Sequence, residues 1–258
     1  VFTEKSSKTD RFSNMDEKYH YYASIAYAVE ETIATIRDLP MSKCYDTAYL
    51  EKTLIPGLGL NDESLEQQPS ELADYFGKGL HLWQYPSQLA RYLVWLTHNA
   101  TKVRNYTEIG CRWGGTFILV NEWLKKIGAP IEFSLAVDPI APTPFIQRYI
   151  EISSTPVHYI ENLSTSQPVM DYFNGFKPEM VFIDGDHSMH GVMFDHLLFR
   201  KTADIIIHHD VASRACPETT LFWSYLKQAE TAFEVAEFTQ QYESVQGHYL
   251  GIGVLKRR

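Results

Sequence analysis

An α/β fold with a mostly parallel sheet covered on both faces follows from three features of the sequence. After residue 103, short apolar runs alternate with helical patterns, which calls for βαβ crossovers. One run, Met180-Val181-Phe182-Ile183, is apolar or nearly so at every position, the pattern of a strand buried on both faces. The last two runs, at 233–238 and 248–255, have no helix between them and read as an antiparallel hairpin at the sheet edge.

The expected strands are 106–109, 133–137, 157–160, 181–183 and 205–207. Helices are expected at 116–126, 145–152, near 169–173, at 192–200 and at 221–229. Upstream, residues 1–15 read as a flexible polar leader. Tyr21, Ile25, Val29 and Ile33 recur at intervals of four, so 16–37 is an amphipathic helix stopped at Leu39-Pro40. Residues 54–72 are turn-rich and acidic. In 79–95, Pro86 suits a first helical turn, and Leu89, Tyr92, Leu93 and Leu96 form one face. The expected division is an N-terminal helical extension or lid over 1–100 and the sheet domain over 101–258, without internal repeats.

Of the 258 residues, 45% are hydrophobic and 21% charged, ordinary for a globular chain. A net charge of -9 argues against a nucleic-acid backbone as the main partner, since neutralising phosphates needs an excess of Lys and Arg. Three scattered cysteines (Cys44, Cys111, Cys216) give neither a disulfide framework nor metal spacing. They fit a reducing, cytoplasmic setting. No run approaches the roughly 20 apolar residues that span a bilayer, and the N-terminus is too polar for a signal peptide, so no membrane partner is expected. The chain does not begin with Met, which fits a module of a longer protein; a homo-oligomer also stays open.

Two loops at the carboxyl ends of strands carry the chemistry, where ligands bind in open α/β sheets. The first expected strand runs into Glu108-Ile109-Gly110-Cys111-Arg112-Trp113-Gly114-Gly115-Thr116. Glycines there let a backbone turn tightly and approach a ligand. The spacing is neither the dinucleotide fingerprint nor a P-loop. Glu108 would repel a pyrophosphate and suits an ammonium; its plainer role is to cap a structural turn. The second strand ends in Asp138-Pro139, and an acid at that tip is the expected acceptor for ribose hydroxyls, or simply a turn before proline. A ligand with a ribose, a charged amino-acid end and no phosphate points to S-adenosylmethionine.

The loop EIGCRWGG, the VDP strand tip, IDGDHSMHGVMFD, IIIHHDV and FWSYLK…GIGVL together resemble a class I S-adenosylmethionine-dependent methyltransferase. The group with the nearest likeness is that of cephalosporin-hydroxylase-like and macrolide-sugar O-methyltransferases, over roughly residues 80–255. The resemblance implies a Rossmann-like seven-stranded sheet, mostly parallel with an antiparallel last hairpin. It also implies Glu108, Gly110, Gly114 and Asp138 as cofactor contacts. It further implies a divalent metal, usually magnesium, on Asp184 and on the His209-Asp210 pair, with His187 as general base. The chemistry is coherent, because a hydroxyl is a poor nucleophile until its pKa falls and its proton is taken. On this reading His187 as base does not depend on a metal.

His209 departs from the pattern, since that group carries a carboxylate there. Imidazole suits zinc, iron, manganese or nickel, whereas magnesium prefers oxygen. Another metal, a His209 turned away, or no metal at all stay open. Asp186 reads as the N-terminal cap of a helix beginning at Ser188. His190 and His196 read as surface or packing residues, and His208 as a satisfied core histidine. Trp83-Gln84-Tyr85 reads either as a closure over ligand or as core, and the Trp223 stripe as packing. The expected substrate is a small or sugar-bearing molecule with a hydroxyl to be methylated. Two other classes stay open: a metal-dependent hydrolase using Asp184, His187, His209 and Asp210, and a non-catalytic methyltransferase-like module.

Overall fold

The computed structural model describes residues 15–258, with side chains from Ser24 onward. The leader expected over 1–15 lies outside the described residues except for Met15, and the side chain of Tyr21 lies outside them too. Helix α1 (Met15–Asp38) buries Ile25 and Val29 of the expected stripe, while Ile33 is half-buried and Ile36 is buried in its place. Between Met41 and Gly57 the chain makes short irregular helical turns. Leu60 then forms isolated bridges with Phe76 and Leu82. Helix α2 (Pro86–Asn99) opens on proline, which has no N–H to lose in a first turn. Its Leu89, Tyr92, Leu93 and Leu96 are fully buried.

The alternation then runs β1 (Asn105–Ile109), α3 (Gly115–Lys126), β2 (Phe133–Asp138), α4 (Pro144–Ile152), β3 (Val157–Glu161), α5 (Gln167–Gly175), β4 (Met180–Ile183), α6 (Met189–Phe199), β5 (Ile205–His209), α7 (Pro217–Ala229), β6 (Phe233–Phe238) and β7 (Ile252–Arg257). The seven strands lie in the order β3-β2-β1-β4-β5-β7-β6. The first five are parallel to their neighbours, and β7 is antiparallel to both β5 and β6. The closing hairpin is added to the β5 edge as expected, with β7 rather than β6 against β5. β7 starts later than expected, because Leu250 and Gly251 take positive φ (60° and 104°) and break the extended run.

Strand parity explains the apolar runs. Met180 and Phe182 join Tyr106, Ala136, Ile205 and Ile207 in a cluster under α1 to α4, while Val181 and Ile183 join Leu135, Val137 and Ile206 under α5 to α7. Val29, Ile36 and Leu54 belong to the first cluster, so residues on both sides of position 100 share one core. No described helix is long and apolar enough to cross a membrane.

Gly253 on β7 lies against the Trp223 indole: an added Cβ would sit 2.4 Å from the ring. Gly253→Ala is expected to cost about 1–3 kcal/mol by overpacking. The measurement is the urea midpoint, which should fall with little change of slope; an unmoved midpoint would mean that Trp223 is not seated on β7.

Candidate functional site

A single cavity of about 610 Å³ opens at the carboxyl ends of the central strands, and all eight residues singled out above line it: Glu108, Gly110, Gly114, Asp138, Asp184, His187, His209 and Asp210. The β1 loop forms its floor. Gly110 has φ +78°, and a Cβ there would lie 2.1 Å from the Asp184 carbonyl oxygen. Gly114 has φ +87°, and its Cβ would meet Ile146 at 2.3 Å. Both glycines are thus already required by the protein's own packing. The acid that ties the loop is Asp138, not Glu108: its Oδ2 accepts from the N–H groups of Cys111 (3.0 Å) and Arg112 (2.9 Å), and its Oδ1 from Ile140 (2.9 Å). Since a carboxylate has about four acceptor sites, Oδ1 keeps capacity for a ligand hydroxyl.

Glu108 sits at the base of the cavity, 2% exposed, accepting a hydrogen bond of 2.5 Å from the Tyr106 hydroxyl. Burial pushes its carboxyl up to about 8, against the pull of the Tyr106 hydrogen bond, and the nearby Asp184 charge adds to the rise. A carboxyl held up in this way ionises more readily when a cationic group lies against it.

In the same cavity, Asp184 Oδ1 lies 3.0 Å from His187 Nε2 and 3.1 Å from His209 Nδ1. Asp210 Oδ2 lies 3.4 Å from each of these nitrogens. Burial alone would raise both carboxyls, but the imidazoles outweigh it and hold them below the usual range. Hydrogen bonding to Asp184 lifts His187 to about 10. Burial works against the charge on His209, yet Asp184 and Asp210 raise it well above the ordinary value. Asp210 also has φ +56°, the left-handed region that non-glycine residues avoid at a cost of about 1–2 kcal/mol. Such strain persists where the surroundings over-determine it.

Two features fit this cluster to a divalent cation. Asp184, His209 and Asp210 offer ligand atoms all within 4.8 Å of one another. His209 Nδ1 is buried, aimed at both carboxylates, and makes no properly directed hydrogen bond to either. The other nitrogen, Nε2, pairs with the side-chain oxygen of Gln84. His209 therefore does not turn away from the acids. A donor set of imidazole and carboxylates suits a transition ion better than magnesium.

Sequence reading passed over Cys216, whose thiol donates to Asp210 Oδ2 at 3.1 Å and which forms a second possible ligand group with His187 and Asp210. Its one signal was chain proximity to Asp210. Trp83-Gln84-Tyr85 divides three ways. Trp83 lines the cavity with its ring 4.8 Å from the Arg112 guanidinium, Gln84 backs His209, and Tyr85 is core. The cap of α6 is Ser188, whose hydroxyl accepts from Gly191 N, rather than Asp186. Asp186 braces that cap by accepting from the N–H and the hydroxyl of Ser188. His190 is exposed, while His196 is buried between His208 Nε2 (3.2 Å) and Glu230 (3.4 Å). His208 is only half satisfied, since its Nδ1 has no hydrogen-bond partner.

No protein-family model matches the chain, and no curated protein matches it either. Among solved structures it is similar to cofactor-bound Rv0187 from MTB, at 16% identity and a TM-score of 0.49, over 67% of this chain and 80% of that one. It is also similar to an O-methyltransferase from Bacillus cereus in complex with SAH, at 13% identity and a TM-score of 0.48, over 96% and 94%. A third is the O-methyltransferase TomG from Streptomyces achromogenes in complex with SAM, at 14% identity and a TM-score of 0.48, over 83% and 96%. At these identities the likeness is one of chain path. The strand order and the reversed β7 themselves make this the Rossmann-like seven-stranded sheet of class I methyltransferases.

The raised carboxyl of Glu108 has a stability consequence. Between the ordinary value of 4.5 and about 8 the folded protein binds more protons at this site than the unfolded chain, so stability falls as pH rises through that window. Glu108→Gln keeps an acceptor for Tyr106 and removes the charge. It is expected to raise the Tm at pH 9 by at least about 2–4 °C, the shift that accompanies about 1 kcal/mol, with little change at pH 4. Equal shifts at both pH values would disprove the buried-charge account.

Proposed function

We propose that the chain is an S-adenosylmethionine-dependent methyltransferase acting on a hydroxyl of a small or sugar-bearing acceptor. One observation carries the reading: a single cavity holds a buried acid, pushed up by burial, together with a His–Asp cluster. Glu108 ionises against the ligand's ammonium, Asp138 Oδ1 accepts from a ribose hydroxyl, and the ligand lies against the backbone of the loop from Gly110 to Gly114. When bound, S-adenosylmethionine supplies a methyl group on a sulfonium, and transfer then needs in-line placement and a dry site. Asp184, His209 and Asp210 would hold a divalent cation, which supplies acidity to a nearby hydroxyl.

His187 takes the acceptor's proton at Nε2. In this reading its role as base and the cation are linked, contrary to the expectation that it stands alone. With Asp184 and Asp210 fully charged, His187 at about 10 already carries its proton at neutral pH. Cancelling those charges removes the cause of the rise and frees the imidazole to accept. The hydrolase reading has less support, because it leaves Glu108 and the β1 loop without work.

Isothermal titration with S-adenosylmethionine is expected to show one site, weakened in Glu108→Gln; no heat with or without divalent metal would sink the proposal. His187→Ala is expected to cut turnover by about 10²–10⁴-fold while largely sparing cofactor affinity, so unchanged turnover would remove it as the base. The pH–rate profile should rise at lower pH with saturating divalent cation than without it, as measured on a confirmed acceptor. Elemental analysis of protein purified without chelator should show less metal in Asp210→Ala than in the wild type; equal content would reject Asp210 as a ligand.

A further inference from the structure

Behind His209 lies a chain of two buried glutamines whose hydrogen bonds can be directed from the backbone outward. The Gly251 N–H can only donate, and it lies 3.0 Å from the Gln88 side-chain oxygen. The Gln88 amide nitrogen lies 2.8 Å from the Gln240 carbonyl and 3.4 Å from that of Tyr249, and these can only accept. The orientation of Gln88 is therefore fixed at both ends. Its oxygen also faces Gln84 Nε2, which must donate to it, so the oxygen of Gln84 is the atom turned to His209 Nε2. An oxygen without a proton accepts, which places a proton on His209 Nε2. Gln84 is 4% exposed, Gln88 is fully buried and His209 is 6% exposed, so water does not compete for these positions.

We propose that Gln84 and Gln88 are positioning residues that carry the polarity of the Gly251 N–H to His209, holding its proton on Nε2 and presenting Nδ1 to Asp184 and Asp210 as the nitrogen that ligates a divalent transition ion. The proposal rests on the metal half of the function above but not on methyl transfer. The buried Nδ1, 3.1 Å and 3.4 Å from two carboxylates without a well-directed hydrogen bond to either, is the second mark of the same site. Ligating histidines commonly donate their other N–H to an oxygen that fixes tautomer and ring orientation, and losing such a partner costs about 10–100-fold in metal affinity. What sets this site apart is that the oxygen is an amide held in place by a second amide, itself anchored to backbone on the far side.

Two substitutions at position 84 separate polarity from packing. Gln84→Met keeps the volume and loses the acceptor; Gln84→Glu keeps a side-chain oxygen that accepts from His209 Nε2, whichever its charge. Zinc affinity is measured by competition with a chelating dye, in the absence of S-adenosylmethionine. Gln84→Met should bind zinc at least about tenfold more weakly, whereas Gln84→Glu should stay near the wild type. A mere packing role predicts the reverse order and would overturn the proposal. In zinc-loaded wild type, ¹⁵N–¹H correlation of the imidazoles should show His209 protonated at Nε2 and metal-bound at Nδ1; zinc at Nε2, or no zinc bound at all, also overturns it. That measurement decides the matter even if Gln84→Met does not fold. A protein that passes these tests but fails to bind S-adenosylmethionine would refute the methyltransferase reading alone.

Discussion

The site depends on a backbone contact: the end of β1 lies so close to the end of β4 that position 110 has no room for a side chain. Register carries the contact along both strands, with Glu108 opposite Phe182 and Ile109 opposite Ile183. The loops that leave these strands are thereby held edge to edge. Asp138 fastens the first of them from the opposite side, through the N–H groups of Cys111 and Arg112. The floor of the cavity is thus backbone bonded to backbone and to one carboxylate, a rigid support for side chains that meet a ligand.

That rigidity gathers charge. Glu108, Asp138, Asp184 and Asp210 line the same cavity, and two of its imidazoles, His187 and His209, are pulled to the charged form by the acids they touch. Arg112 also faces the space, but it is paired with Glu63 at 2.5 Å. The acids respond according to their surroundings. Those beside imidazole ionise readily, and Glu108, which burial holds back despite its hydrogen bond from Tyr106, resists. Two kinds of carboxyl in one cavity can hold two kinds of cation.

Much of the fold was legible in the sequence because strand parity and helical spacing are local. The run at Met180–Ile183 announces a strand covered on both faces, and Leu89, Tyr92, Leu93 and Leu96 announce a buried helical face. The residues of the site were legible as types at strand ends. Their division of labour was not, because it is decided by non-local partners. Nothing in VDP says that Asp138 spends an oxygen on Cys111 and Arg112. Nothing near His209 in the chain points to Gln84, which lies 125 residues away. The edge hairpin was legible too, but not which of its strands meets the sheet: β5 and β6 each pair with β7 and not with each other.

The position of β7 has a kinetic meaning. This strand follows every other described element in the chain, yet it occupies the interior of the sheet. Until it arrives, β5 and β6 both present open edges, which are exposed to wrong pairing. His209 pairs with Ile252, and the Gly251 N–H anchors the glutamines behind it. Of the described strands β7 comes last in the chain, so the support behind His209 is complete only once it has docked on β5.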